Sequence, residues 1–388
     1  MTPASVSFEV PDGIVVISRD GRGVPFVRAG GFAGLFEGQG YATACDRLWH
    51  IEHDRRRARG TLAAVTGLAQ HAQFDVFARR VRFVDLARAG FEQLDPDARA
   101  ACTALAAGVN RRLADGAPLS APFLRIGAPR PQPMEPWEPL AVFLARHATF
   151  ATWQHKLWNA RVAAALGTAA VAHFSRESRA GSVPVIVPPG VRDANSDLIA
   201  RCLTDPAPWI DELAALGLDP SADAGPGLGL NGSTGSNAWA VHASRSATGG
   251  ALVAGDPHRA FEAPNVYYQI GLALRDEPVD AAGYSFPGVP GVGHFAQNLT
   301  TAWAVTNAMA DYQDLFIEHL DEAVVDRRRE MVEVRGSAAL EVECLVTRHG
   351  PVVSDSGGTG ATGNTGNTGL ALASTGFLRP GGSLAAVV

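Results

Sequence analysis

Gly235-Ser236-Asn237-Ala238-Trp239 sets a serine hydroxyl where a Gly/Ser/Ala run gives way to a strand pattern. A hydroxyl is a weak nucleophile and needs a base to take its proton. Without such a base, a serine at a loop–strand junction is an ordinary turn residue. The segments downstream change its weight: Gly255-Asp256-Pro257-His258, Pro287-Gly288-Val289-Pro290-Gly291, Ala302-Trp303-Ala304-Val305-Thr306-Asn307 and Asp311-Tyr312-Gln313-Asp314. Other chemistries lack their signals. The chain has no G-x-S-x-G elbow, Walker A loop or H-E-x-x-H, and no G-x-G-x-x-G after a strand. His50 and His53 come closest to a metal pattern, but no third ligand is suggested; they read as partners of Asp46 and Asp54. Cys45, Cys102, Cys202 and Cys344 form no C-x-x-C pair and read as single buried thiols.

The elements that must position these residues fall into two kinds. Ser7–Val10 and Gly13–Ser18 read as opening strands. Helical patterns follow. Phe74, Phe77, Val81 and Val84 make one apolar stripe, and Ala101, Leu105, Val109 and Leu113 another, the second opened by Asp95 as N-cap and Pro96 behind it. A third helix is expected from about Glu138 to Leu166. Ser221–Gly235 is a Gly/Ser/Ala linker. Beyond it the chain turns strand-rich. Asn237–Ala243 alternates, with Ala238, Ala240 and His242 on one side and Trp239 and Val241 on the other; Gly250–Ala254, Asn265–Leu274, Thr300–Thr306, Arg328–Val334 and Leu340–Thr347 follow. Gly357–Gly369, glycine-dense and repetitive, is expected to be a mobile loop. The expected division is a mainly helical region over 1–220, a linker over 221–235 and a strand-rich region over 236–388.

Composition bounds the partners. The chain has 388 residues, 33 basic and 39 acidic side chains, and a net charge of −6, which excludes a strongly basic nucleic-acid binder. Lys156 is its only lysine. Hydrophobic residues at 46% and charged residues at 19% suit a globular chain. No run of roughly 18 apolar residues predicts a membrane span. No basic start followed by an apolar stretch is visible, so no export signal is expected and the compartment stays open.

Taken in order, these segments resemble the penicillin acylase family of N-terminal nucleophile hydrolases, which includes penicillin, cephalosporin and acyl-homoserine-lactone acylases. The resemblance rests also on Arg19-Asp20 with Gly23-Val24-Pro25; on Gly40-Tyr41-Ala42-Thr43-Ala44-Cys45-Asp46-Arg47-Leu48-Trp49 with Arg55 and Arg56; and on Gly60-Thr61-Leu62. Leu105-Ala106-Ala107-Gly108-Val109-Asn110 and Pro136-Trp137-Glu138-Pro139 fit as well. It implies an α+β fold: the αββα sandwich, two antiparallel sheets between helices, with a helical N-terminal subunit and an incomplete C-terminal end. It implies self-cleavage between Gly235 and Ser236, giving an α/β heterodimer in which Ser236 is a new N-terminus. A free α-amine, with a pKa near 8, can take the hydroxyl proton without a separate histidine.

Further roles follow from the resemblance alone. His258 matches the position that helps hold the nucleophile, and Asn307 the position whose backbone N–H contributes to the oxyanion hole. Asn237 is a candidate support beside the nucleophile. Asp311, Gln313 and Asp314, with Asn159 where a glutamate is usual, match a calcium site of some members; catalysis itself needs no cofactor. The implied substrate is a small N-acyl compound, such as a β-lactam antibiotic or an acyl-homoserine lactone. Phe26, Arg259 and Gln297 depart from the usual pattern, and Arg259 would alter the acyl pocket. Family precursors are longer. With 153 residues from Ser236 onward, the chain carries no counterpart of their second oxyanion donor, an asparagine side chain. Two rivals therefore stay open: a catalytically inactive or split-gene part of such an acylase, completed by a further β segment, and a non-enzymatic binding module.

Overall fold

Three short strands open the chain: β1 (Val6–Val10), β2 (Gly13–Arg19) and β3 (Pro25–Ala29), paired antiparallel in sequence order. The turn into β3 is made by Asp20, whose carboxylate accepts from the backbone N–H groups of Arg22 and Val24. A computed structural model describes residues 5–149, 153, 156, 157, 159, 236–258, 263–275, 280–307, 312–354 and 367–378. The expected boundary at 220, the linker over 221–235, Cys202 and the last ten residues lie outside them.

Among the described residues seven helices follow: α1 (Phe32–Arg59), α2 (Ala63–Thr66), α3 (Ala69–Val81), α4 (Phe83–Gln93), α5 (Pro96–Ala114), α6 (Ala121–Ile126) and α7 (Glu138–Thr149). In α5 the Asp95 carboxylate accepts from the N–H groups of Asp97 and Ala98 at 3.1 and 2.9 Å, and Pro96 sits where no N–H is needed. Ala101, Leu105 and Val109 are buried as their spacing predicts, with Leu113 half-buried behind them. The other expected stripe is broken. Arg82, at φ 63°, is left-handed and ends α3, so Phe83 rather than Val84 enters the core beside Phe74 and Val81. The Arg82 guanidinium holds that turn through Asp85 and Asp326.

α1 and α5 approach closely enough to exclude side chains. A Cβ on Gly40 would lie 2.1 Å from the Leu105 carbonyl oxygen, and one on Gly108 would lie 1.9 Å from that of Glu37. α1 in turn lies on the sheet. Leu35 and Ala42 pack with Val15, Ile17, Val27, Ile270 and Leu272. α1 is tied to α7 by Arg55, 3% exposed. Its guanidinium donates to both carboxylate oxygens of Glu138, to Glu52, and to the carbonyls of Gln132 and Pro133, which uses every N–H it has.

After Ser236 the strands are β4 (Ser236–Val241), β5 (Leu252–Pro257), β6 (Tyr268–Leu274), β7 (Asp280–Ser285), β8 (Phe295–Gln297), β9 (Ala302–Ala304) and β10 (Gln313–His319). A short helix, α8 (Leu320–Ala323), leads to β11 (Val324–Val332), β12 (Leu340–Thr347), β13 (Gly350–Pro351), β14 (Thr368–Ser374) and α9 (Thr375–Leu378). The largest sheet runs β1-β2-β3-β6-β7-β8-β9. Its β3–β6 pairing is parallel and joins the first region to the strand-rich one. β4 and β5 form a hairpin, β10 pairs β14, and β11, β12 and β13 form a third small sheet. The fold is thus α+β, with the described helical layer against one face of the large sheet. Several strand details differ from expectation: β6 starts at Tyr268 rather than Asn265, β9 spans Ala302–Ala304 rather than Thr300–Thr306, and β11 runs Val324–Val332 rather than Arg328–Val334. Thr368 and Gly369 pair in β14 rather than ending a mobile loop, because the β10 edge is there to receive their backbone. The alternation in β4 is not matched by burial: Trp239 is 53% exposed among the described residues. No described helix is long and apolar enough to cross a membrane.

Buried charge sits at the centre of the helical layer. Asp54 bonds Arg146 and His53, and these with Arg57 hold its carboxyl below the usual range although burial pushes the other way. The reading of His53 as an acid's partner therefore stands, whereas Asp46 pairs with Arg19 through two bonds at 2.8 and 3.0 Å. Cys45, Cys102 and Cys344 are free thiols; burial pushes Cys102 up to about 12.

Two tests arise from this packing. Gly108→Ala has no room, since the obstructing atoms are backbone. It is expected to cost about 3 kcal/mol of unfolding free energy in urea titration. The second concerns acid. Burial holds His50 and His71 down to about 4. Unfolded, each titrates near about 6.5. Between these values the unfolded chain binds protons that the folded chain refuses, so stability falls as pH is lowered through this window. Asp75, pushed up to about 6 by burial against the lowering effect of the Ala63 and Leu62 N–H groups, takes a proton in the folded state first and offsets part of the loss. Urea midpoints measured at successive pH values are expected to fall on acidification, and to fall less in His71→Gln.

Candidate active site

The β4–β5 hairpin places the nucleophile candidate by its register. Ser236 pairs with Pro257, Asn237 with Asp256, and Ala238 with Gly255. Side chains alternate along a strand. Ser236 and Ala238 therefore share one face of the hairpin with Gly255 and Pro257, and Asn237 and Asp256 share the other. Ser236 is the first residue of β4.

The hydroxyl meets a donor from far along the chain. The backbone N–H of Asn307 donates to Ser236 Oγ at 3.3 Å. Asn307 stands just beyond β9, so its position is set by the large sheet. The hairpin reaches that sheet through Gly255. A Cβ at this position would fall 2.5 Å from the Phe295 ring and 3.0 Å from the Ala304 Cβ. Glycine is thus the residue that lets β5 lie on β8 and β9 with Ser236 beside Asn307. Phe295 belongs to an aromatic group with Tyr267, Phe286 and His294; the His294 and Phe295 rings stack at 4.3 Å.

His258 takes a different place. Its Nε2 lies 3.2 Å from Asn237 Nδ2 and 3.2 Å from Asp256 Oδ2. Among the described residues no hydrogen bond joins it to Ser236; the two meet through Asn237. Asp256 carried no assigned role in the sequence, although its position two residues before a histidine on a strand was a usable signal. Arg259 lies outside the described residues, as does Gly235. Phe26 lies against Gly271 of β6, where a Cβ would fall 2.4 Å from its ring, and Gln297 pairs with Ala282 and Ala302 at the end of β8.

A further anchor comes from α1. The helix kinks at Arg47, whose φ of −133° is non-helical. The Arg47 guanidinium donates to the carbonyls of Asn265 and Tyr267 at 2.6 and 3.4 Å. The start of β6 is fixed beside it by Tyr268, whose hydroxyl donates to Asp46 at 2.5 Å. Burial, with the Asp46 charge, pushes that hydroxyl's pKa far up, so it stays a donor.

Of the four residues matched to calcium, three are described. Asp311 lies outside the described residues. Gln313 is buried, with its Nε2 donating to Ser374 Oγ at 3.4 Å and its Oε1 without a hydrogen bond among the described residues. Asp314 is instead ion-paired with Lys156, the single lysine of the chain, and Asn159 lies in the same segment as that lysine. An ammonium on the one described carboxylate opposes a cation at the same oxygens. No group of three His, Cys, Asp or Glu suited to a metal occurs among the described residues.

The geometry singles out Gly255 for substitution. Gly255→Val is expected to lift the hairpin from Phe295 and to part Ser236 from the Asn307 N–H. A misplacement of about 1 Å costs on the order of 10²-fold in rate. Any reaction at Ser236, read as release of a fragment or as turnover, is expected to slow by that factor while far-ultraviolet circular dichroism is kept.

Comparison with known proteins adds to this geometry. The penicillin amidase family profile matches residues 14–387. The penicillin acylase 2 proenzyme of Pseudomonas sp. (strain SE83) is 37% identical over 368 residues, 91% of this chain and 46% of that protein. The acyl-homoserine lactone acylase QuiP of Pseudomonas aeruginosa is 26% identical, with 89% of this chain and 40% of that protein covered. Among solved structures, a thermostable penicillin G acylase from Alcaligenes faecalis matches at a TM-score of 0.37 and 23% identity, over 48% of this chain and 100% of that one, a likeness too loose to carry an argument. The chain spans less than half the length of these two curated relatives. From the profile match and the identity to the first of them, the chain belongs to the penicillin amidase family.

Proposed function

We propose that the chain supplies the nucleophile of an amide hydrolase, an acylase that removes the acyl group from a small N-acyl compound. The observation that carries this reading is the Asn307 N–H directed at Ser236 Oγ at 3.3 Å. On this reading the peptide between Gly235 and Ser236 is first cut by the chain itself. The freed α-amine of Ser236 then takes the proton from its own hydroxyl as Oγ attacks the substrate carbonyl. The tetrahedral oxyanion forms next to Oγ, within reach of the Asn307 donor. A donor of this kind is worth about 3 kcal/mol of barrier. Collapse expels the amine with the proton held by the α-amine and leaves an acyl group on Ser236; water releases the acid by the same proton path. The relatives are named for penicillins and for acyl-homoserine lactones. The proposed substrate class is therefore an N-acylated small molecule of one of these kinds, and the proposed assembly an α/β heterodimer of the cut chain.

One observation favours a second reading, in which the chain is catalytically silent until a further β segment covers the hairpin. Trp239 and Leu252 are 53% and 50% exposed among the described residues, and they lie on the strands that carry the site. Mass spectrometry of the purified chain separates the two readings. The first predicts a fragment whose N-terminus is Ser236, and its disappearance in Ser236→Ala together with hydrolysis of a chromogenic acyl amide. An intact chain with no turnover supports the second. Fragment release that persists in Ser236→Ala sinks the assignment of the nucleophile.

A further inference from the structure

His258 Nε2 faces two partners with opposite demands. Asp256 Oδ2 and Asn237 Nδ2 each lie 3.2 Å from it. An imidazole nitrogen offers one hydrogen or one lone pair, never both. An ionised carboxylate can only accept, so Asp256 requires a hydrogen on Nε2. The Asn237 amide has no such constraint, since turning it exchanges Nδ2 for Oδ1 at the same place. The carboxylate also makes the stronger bond, being charged. The conflict therefore resolves one way: Nε2–H, shared between Asp256 Oδ2 and Asn237 Oδ1.

The register explains why these three meet. Asn237 and Asp256 are a cross-strand pair, so their side chains share one face, and His258 follows Asp256 by two residues. Ser236 points to the other face. We propose that Asp256 is a positioning residue: it fixes His258 in the Nε2–H form, and the pair grips Asn237 and so holds the strand end that carries Ser236. This rests on the reading of Ser236 as nucleophile, but the grip itself can be read without any activity. The consequence is specific. The basic nitrogen of neutral His258 is Nδ1, and the histidine acts on the nucleophile through Asn237 rather than by taking its proton.

Nitrogen NMR on the full chain labelled with ¹⁵N-histidine tests it, at a pH of about 8.5. His258→Gln identifies the His258 signals by their loss. The expected result is a proton-bearing Nε2 in the parent and a mixture of tautomers in Asp256→Ala, where the Asn237 amide can turn to suit either form. Asp256→Asn, which keeps the size without the charge, is expected to give a mixture of tautomers and serves if the alanine variant does not fold. A bare Nε2 in the parent, or an unchanged tautomer in both variants, overturns the proposal. The second readout is release of the fragment beginning at Ser236. It is expected to slow at least about tenfold in Asp256→Ala, with partial rescue in Asp256→Glu. Unchanged release alongside a changed tautomer also overturns the positioning role. A parent chain that releases no fragment counts against the nucleophile reading, while the NMR result still decides the grip.

Discussion

The backbone pairing of β3 with β6 is the contact on which the rest of the site depends. Four residue pairs, from Phe26 with Gly271 to Ala29 with Leu274, join the opening strands to a sheet otherwise built from the later region. α1 packs on Val15, Ile17 and Val27 from one side of this seam and on Ile270 and Leu272 from the other. Through β7, β8 and β9 the same sheet then fixes Phe295, on which Gly255 lies, and leads to Asn307. From the helical side, Arg47 and Asp46 of α1 hold the start of β6 in the same place through Asn265, Tyr267 and Tyr268.

The helical layer that supports this sheet is held by constraints that permit little exchange. Two glycines, Gly40 and Gly108, allow α1 and α5 to meet at backbone distance. Such contact excludes even a methyl group, because carbonyl oxygens cannot move aside as side chains do. Arg55 then ties α1 to α7 with every donor satisfied. A buried arginine so arranged adds little to stability relative to an apolar replacement of the whole group, but leaving one partner unpaired typically costs about 3–5 kcal/mol. The network thus selects one packing of the helices, and with it one position for the sheet.

At the hairpin, the period of two in a strand separates the chemistry from its support. Ser236 faces the sheet, Phe295 and the Asn307 N–H. Asn237, Asp256 and His258 face the other way, where His258 Nε2 lies 3.2 Å from both partners. On the proposed reading, oxyanion stabilisation and strand positioning fall on opposite faces of the same two strands. The Lys156–Asp314 pair shows a similar economy elsewhere, with a side-chain cation on the carboxylate that was expected to take calcium.

Several features could be read from local order alone. Asp95-Pro96 opened a helix because a carboxylate and a missing N–H suit a helix start wherever they occur. Leu340–Thr347 formed the strand its pattern predicted. The ordered motifs around Ser236, Asp256-Pro257-His258 and Asn307 identified the family, since they report ancestry rather than geometry. The left-handed Arg82 was not legible, because its φ of 63° is held by Asp85 and by Asp326, which is remote in the chain. Nor was the side of the hairpin on which His258 falls. The resemblance placed it near Ser236; only the cross-strand register turned it toward Asn237 and Asp256. The resemblance matched Asp314 to a metal ligand; that Lys156 pairs with it came only from tertiary packing. The sequence by itself determined the elements, the nucleophile candidate and the family. Tertiary structure decided which polar groups meet, because hydrogen bonds and ion pairs act over a few ångströms between residues that the chain separates by tens to hundreds of positions.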